Sequence, residues 1–425
     1  MMKSYFILIL IVKGILGRGG FGPTDQEWGF STVREGAHIF WWLHYTTATQ
    51  EPTEKPLLIW LQGGPGSSST SYGNFAELGP LDLDLNPRNT SWVNSANVLF
   101  VDNPVGTGFS YVENDTLFTT TNAQIADDFV VFLQDFYKVL PQFETVPLYI
   151  FCESYGGKMT AQIALHLIKA IENGSINSNF KGVGLGDSWI SPIDSSITWA
   201  PYLYQLGVID TQQYENLDAI GQHVKQLVDD GEWYDATEAW FILQNELYSS
   251  SGFCVDFYNV LTPCDAINDT FTLKKPQGKV LGLSEEEIMN DKVRIALNIS
   301  RTWGEQSNDV FTYLETDFMK PVTEIVERLL NETDIKVGVY NGQLDLIVDT
   351  PGTIKWVDAL NFKGSEEWST NEKSMFSING IYEGYEKKAG NLYFYWILRA
   401  GHMVPRDNPN GMLYILEQIT DNFAV

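Results

Sequence analysis

An α/β architecture with a mostly parallel sheet follows from three features of this 425-residue sequence. Segments rich in β-formers alternate with amphipathic helical patterns, which gives strands covered by helices. One strand-like run passes through a tight turn into a helix at Glu153-Ser154-Tyr155-Gly156-Gly157. With 44% hydrophobic and 13% aromatic residues and no glycine–serine linker, the chain can bury one large core. Core strands are expected near 38–45, 57–62, 97–102, 146–151, 180–185, 335–340 and 392–398. Gln124 to Leu140 carries an amphipathic helical pattern. Met159, Ile163, Leu167, Ile168 and Ile171 recur at helical spacing up to a stop at Asn173-Gly174. Between Asp187 and about Trp303 the strand signal fades into helix-like segments, Asp210 to Asp229 and Asp235 to Tyr248. The polar, glycine-containing stretch from Lys274 to Asp291 reads as a solvated connection open to nicking.

The turn at Ser154 carries the chemistry. Pro147-Leu148-Tyr149-Ile150-Phe151 leads into it, and a serine at such an apex projects above the sheet edge. The backbone N–H of the following residue then points at the oxyanion that forms when Oγ attacks a carbonyl. Acyl transfer is the reaction suggested; an exposed loop serine is the bland alternative.

A serine hydroxyl needs a base, and the chain holds five histidines. His38 and His44 lie on the aromatic strand-like run around Ile39-Phe40-Trp41-Trp42-Leu43. His166 sits twelve residues beyond Ser154 on the next helix, roughly 18 Å along its axis at the standard rise. His223 lies in a polar helical region. His402 remains, in the loop Arg399-Ala400-Gly401-His402-Met403-Val404-Pro405 after a strong strand. The orienting carboxylate is expected at a strand end between nucleophile and base. The loop after Ile335 to Tyr340 offers both Asp345 and Asp349, and spacing favours neither.

Four separated blocks carry a family resemblance. Trp60-Leu61-Gln62-Gly63-Gly64-Pro65-Gly66-Ser67-Ser68, Asp102-Asn103-Pro104-Val105-Gly106-Thr107-Gly108-Phe109-Ser110, Glu153-Ser154-Tyr155-Gly156-Gly157 and Gly401-His402-Met403-Val404-Pro405 resemble, in order, the motif set of serine carboxypeptidases. The likeness runs from about Trp28 to the C-terminus. Gln62, the segment Gly186-Asp187-Ser188-Trp189-Ile190-Ser191-Pro192 and the stretch Tyr340 to Thr350 resemble most its retinoid-inducible branch.

The resemblance implies an α/β-hydrolase fold with a helical cap insertion, core at 18–187 and 304–425 and cap at 188–303. It implies a triad of Ser154, Asp345 and His402, with Asp349 a non-catalytic neighbour. The oxyanion hole falls to the N–H groups of Gly64 and Tyr155. Gln62, Gly63, Glu77 and Glu153 match the positions that bind a substrate's terminal carboxylate. Two close carboxyls there cannot both ionise cheaply, so they keep protons in mild acid and donate to that carboxylate. An acidic pH optimum follows, with peptide or protein C-termini as substrate and no cofactor or metal. Two alternatives stand beside hydrolysis. In an acyltransferase of the same fold an alcohol intercepts the acyl-enzyme; a non-catalytic binding protein would retain the fold alone.

Composition bounds the rest. A formal net charge of −27 argues against nucleic acid or an anionic membrane as partner. Met1-Met2-Lys3 followed by an apolar run to Val12 reads as a signal peptide over 1–17, too short for a membrane span. Sequons at Asn89, Asn114, Asn173, Asn268, Asn298 and Asn331 fit a secreted or lysosomal glycoprotein. Of three cysteines, Cys254 and Cys264 are expected to pair, leaving Cys152 as a small buried residue in place of the family's usual glycine. The sequence does not set the oligomeric state.

Overall fold

The computed structural model describes residues 18–250, 255–262 and 283–421. Its sheet contains β1 (Arg18–Gly19), β2 (Asp25–Arg34), β3 (Ala37–His44), β4 (Leu57–Leu61), β5 (Asn97–Val101), β6 (Tyr111–Val112), β7 (Leu148–Ser154), β8 (Phe180–Ser188), β9 (Lys336–Gly342), β10 (Ser374–Ile378), β11 (Ile381–Ala389) and β12 (Leu392–Ile397). The strands lie in the order β1-β2-β3-β5-β4-β7-β8-β9-β12-β11-β10, with β6 paired to β3. From β5 to β12 along that order every pair is parallel. Antiparallel pairs close both edges. Six of the seven strands expected from sequence form this parallel centre, and the one near 38–45 is β3, antiparallel to β5; β1, β2, β6, β10 and β11 are additions at its margins.

Both faces of the centre are buried, so the strands are continuous apolar runs. In β4, Leu57, Ile59 and Leu61 face a cluster with Ile125, Phe129 and Phe132 of the helix Asn122–Val139 and Met159 and Ile163 of the helix Tyr155–Glu172. Leu58 and Trp60 face the opposite cluster, built on Met412, Ile415 and Ile419 of the helix Pro409–Thr420. The period-two alternation of side chains thus serves two helical layers at once.

Between β8 and β9 the described chain is helical. The longest pieces are Thr211–Asp230 and Trp233–Ser250, followed further on by Asn308–Phe318 and Thr323–Glu332. The first begins with a capping box of Asp210 and Gln213 and ends at Gly231 with φ 79°, a left-handed stop that glycine adopts without a Cβ clash. Trp189, Trp199, Trp240 and Phe318 pack ring to ring and root these helices on the end of β8. The stretch read as a solvated connection from Lys274 to Asp291 needs correction at its described end. Glu287–Val293 is a helical turn whose Ile288, Met289 and Val293 are buried with Phe40, Trp42 and Trp303. Apolar burial there outweighs the polarity of the flanking residues. The whole is an α/β-hydrolase fold.

Candidate active site

β7 ends at Ser154 and a helix starts at Tyr155, so no residue is spent on a loop between them. Ser154 holds φ 62° and ψ −129°, a conformation that costs a non-glycine residue about 1–3 kcal/mol and persists only when its surroundings enforce it. The enforcement is visible. A Cβ at Gly63 would lie 2.5 Å from Ser154 Cβ and 2.9 Å from the Glu153 carbonyl oxygen, so the turn after β4 packs backbone against the serine. Gly64 follows with φ +108°. Tyr155 N–H is the first of the helix, a position with no intrahelical acceptor. Its side chain is held from the far side: the hydroxyl donates to Asp317 Oδ2 at 3.1 Å, which Lys158 Nζ also meets at 3.1 Å in full burial.

Asp345 and His402 follow β9 and β12, adjacent parallel strands two and three places from β7. His402 Nδ1 lies 2.7 Å from Asp345 Oδ2. A carboxylate accepts at Oδ2, so the imidazole donates Nδ1–H and keeps its lone pair on Nε2. Asp345 Oδ1 accepts from Val348 N–H at 3.2 Å. His402 N–H donates to the Tyr258 carbonyl at 2.7 Å, and the two rings stand 5.2 Å apart. Burial pushes the His402 imidazole below its ordinary value and the Asp345 carboxyl above its own.

The remaining candidates are elsewhere. Asp349 caps the helix Thr350–Asp358, accepting from Thr198 Oγ1 at 2.8 Å and Gly352 N–H at 3.3 Å. His44 is buried against Thr24 and Asn74, and desolvation drives it down to about 3. His38 stacks on Tyr111, His166 pairs with Asp127, and His223 is exposed.

The residues that the family resemblance matched to carboxylate recognition form a second buried group. Gln62 Nε2 donates to Glu153 Oε1 at 2.8 Å while its Oε1 accepts from Trp60 Nε1 at 2.8 Å, which fixes the amide's orientation. Glu77 comes from the π-helical Ser69–Leu78, buried throughout and capped by Ser68. Both oxygens of Glu77 and Oε2 of Glu153 lack a donor among the described residues. Desolvation raises Glu77 to about 7, and desolvation with the nearby Glu77 charge raises Glu153 well above the usual range.

Sequence reasoning gave no role to Asp187, at the end of β8 between the nucleophile's strand and that of Asp345. Its Oδ1 accepts from Gly342 N–H at 2.7 Å. Asp187, Asp345 and His402 each bring one polar atom to within 4.8 Å of the others. The strand-end position beside β7 was the available signal. Tyr258 was equally silent, because its segment joins the site only through the folded backbone.

Cys152 is free, fully buried under the elbow, with Sγ 3.3 Å from the Gly184 carbonyl. Cys254, Cys264, Asn268 and the 1–17 leader lie outside the described residues. Asn89, Asn114, Asn173, Asn298 and Asn331 are exposed.

The geometry can be set beside known proteins. The serine carboxypeptidase family model matches residues 20–422, and the chain belongs to that family of serine-type hydrolases. Human retinoid-inducible serine carboxypeptidase is 43% identical over 94% of this chain and 92% of its own length. Serine carboxypeptidase-like 51 of Arabidopsis thaliana is 38% identical over 93% and 92%. Among solved structures, Kex1(delta)p, a prohormone-processing carboxypeptidase from Saccharomyces cerevisiae, has a TM-score of 0.80 at 22% identity, covering 94% of this chain and 91% of that one. That likeness concerns the fold.

Proposed function

We propose that this carboxypeptidase releases C-terminal residues through an acyl-enzyme on Ser154, with roles divided between the two buried groups around it. His402 Nε2 takes the Oγ proton as Ser154 attacks the scissile carbonyl, and Asp345 holds the imidazole in the tautomer this requires. The N–H groups of Gly64 and Tyr155 receive the developing oxyanion; a single such donor is worth about 2.7–4 kcal/mol of barrier. His402 returns the proton to the leaving amine, and water then repeats the sequence on the ester.

The observation that carries the exopeptidase reading is the buried pair of Glu77 and Glu153, three of whose four carboxyl oxygens have no donor among the described residues. A pair that retains protons offers O–H donors to a substrate carboxylate, and Gln62 fixes Glu153 for that contact. Gly63 lets the turn after β4 lie against the nucleophile, because a Cβ there would sit 2.5 Å from Ser154 Cβ and 3.0 Å from its Oγ. The lowered His402 leaves a neutral base in mild acid, where the carboxyl pair is still protonated. Activity in an acidic secretory or lysosomal setting fits both. No helix among the described residues is long and apolar enough to cross a membrane. The helical insertion, 188–303 with Asn308–Phe318 adjoining, serves as the cap that shapes the substrate pocket.

Mass spectrometry of a mixed peptide pool incubated at pH 5 with wild type and Ser154→Ala tests the reading. Ladders shortened from the C-terminus by wild type alone are expected. Internal cleavage, or transfer to an added alcohol in preference to water, overturns it.

A further inference from the structure

The catalytic reading accounts for Asp345 and His402 but leaves a second buried carboxyl with an oxygen within 4.8 Å of their polar atoms. Asp187 has no exposed surface. Its Oδ1 is committed to Gly342 N–H at 2.7 Å, and Oδ2 is buried without a hydrogen-bond partner. The backbone at Asp187 holds φ +40°, a left-handed conformation that Asp and Asn tolerate better than other residues with side chains. Gly342, which holds Asp187, begins the loop that carries Asp345. A Cβ on Gly342 would sit 2.0 Å from the Gly401 carbonyl, next to His402. The carboxyl is therefore wedged where the Asp345 and His402 loops meet.

Two carboxylates cannot both be ionised cheaply at this spacing in full burial, because each negative charge raises the cost of the other and, among the described residues, neither has a lysine or arginine within salt-bridge distance. Asp345 has two donors, His402 Nδ1–H and Val348 N–H, so the charge belongs there. Asp187 has one donor and one bare oxygen, so the proton belongs on Oδ2. Resting on the catalytic reading above, we propose that Asp187 is a positioning residue that, as a neutral acid, donates its Oδ2–H to the Asp345 carboxylate and so fixes the carboxylate that fixes His402. Burial and the Asp345 charge both favour the neutral form of Asp187. The other titratable groups facing it are His402, Glu153 on β7 and Tyr340 on β9. Glu153 is itself held neutral, as described above, and a tyrosine hydroxyl is neutral in acid, so neither changes the assignment.

The arrangement makes Asp187 a limit on the upper side of the pH range that acts on kcat. Ionising it would remove the donor and set a second anion against Asp345. The Glu77 and Glu153 pair acts differently, on KM for substrates with a free carboxylate. A C-terminally amidated or ester substrate therefore isolates the Asp187 effect.

The experiment measures kcat and KM for an ester substrate from pH 4.5 to 8.5, with the rate of fluorophosphonate labelling of Ser154, in wild type, Asp187→Asn and Asp187→Ala. Asparagine keeps an acceptor for Gly342 and an N–H donor for Asp345, suits the positive φ and cannot ionise. Asp187→Asn should hold kcat within about threefold of wild type at pH 5 and keep it at the alkaline end, where wild type declines. Asp187→Ala should lose about tenfold or more in kcat and labelling rate at pH 5 with KM little changed. Equal losses in both variants, or an alkaline limb that Asp187→Asn leaves unmoved, overturn the proposal. If the alanine variant does not fold, the asparagine pH profile decides alone. Absence of labelling in wild type would instead sink the catalytic reading.

Discussion

Ser154 stands between two buried groups of acids that the same physics treats in opposite ways. Toward β9 and β12, Asp345 meets an imidazole N–H and a backbone N–H, so a negative charge has partners. Toward β4, Glu77 and Glu153 meet mainly each other, and three of their four oxygens have no donor among the described residues. Burial penalises charge in both places; the local donors decide which group keeps it. On the proposed reading, the first group needs an anion to orient a base, and the second needs protons to recognise one. Desolvation lowers His402 and raises Glu77 to about 7, and both shifts widen the acid range in which a neutral imidazole and a protonated Glu77 coexist.

The largest effects should fall on the catalytic side. Ser154→Ala is expected to abolish fluorophosphonate labelling and to cut kcat by about 10⁶-fold, as loss of a nucleophile does in other triads, while the fold persists. Labelling at full strength in that variant would break the comparison at its centre. Asp345→Asn should cost about 10⁴-fold in kcat, because the amide no longer enforces the Nδ1–H tautomer. Asp349→Asn should change kcat by less than about tenfold, since Asn can also cap the helix at 350 and accept from Thr198. The reverse ranking would transfer the orienting role to Asp349.

Effects on the recognition side should be smaller and should depend on pH. As pH rises through about 7, Glu77 loses the proton that lets it donate, and the resulting charge repels a substrate carboxylate. KM for free-acid peptides should rise about ten- to a hundredfold between pH 5 and 7.5, and that for amidated peptides much less. Glu77→Gln, which donates without ionising, should flatten this rise. The same shift has a stability consequence with a definite sign. Between the ordinary 4.5 and about 7 the native state binds a proton that the unfolded chain has released, so stability falls as pH rises across that window. Thermal melts of Glu77→Gln should show a shallower decline there than wild type. Identical KM profiles for free-acid and amidated peptides would remove the distinction between the two groups.

The catalytic side was the more legible in sequence, for a physical reason. Ser154 and His402 sit at turns whose glycines and proline mark them, and the parallel strands that bring them together are apolar runs of strong β-formers. The recognition side needed the family resemblance, because Glu77 lies on an irregular π-helical segment with no periodic signature. Asp187 went unassigned although its strand was expected, since its importance lies in a hydrogen bond to Gly342, distant in sequence. At the sheet margin, β10 and β11 turn at Asn379 and Gly380, with φ 51° and 81°, a two-residue hairpin signal that the sequence does contain. β2 is half-exposed and carries charged residues among its apolar ones, so its composition resembles a loop.

The smallest effect, and a test of burial acting without a charged partner, concerns Cys152. It lies one residue before Glu153, within the apolar cluster on one face of the sheet, and desolvation pushes its thiol up to about 12. Burial outweighs the polar groups around it: Sγ meets the Gly184 carbonyl at 3.3 Å and the Ser188 hydroxyl at 4.0 Å, and Thr160, Ser188 and the Gly186 backbone lower the thiol by less than desolvation raises it. The thiol therefore behaves as a small apolar side chain, and Cys152→Ala should leave kcat/KM within about twofold while costing on the order of 1 kcal/mol of stability for the lost contacts. Native protein at pH 7.5 should resist iodoacetamide, since the reagent attacks a thiolate and has no path to this one. Unfolding without reductant should expose a single reactive thiol if Cys254 and Cys264 are paired, and three if they are not. Rapid alkylation of Cys152 in the folded enzyme would mean that water reaches the underside of the elbow, and burial would then be a weaker account of the proton assigned to its sequence neighbour Glu153.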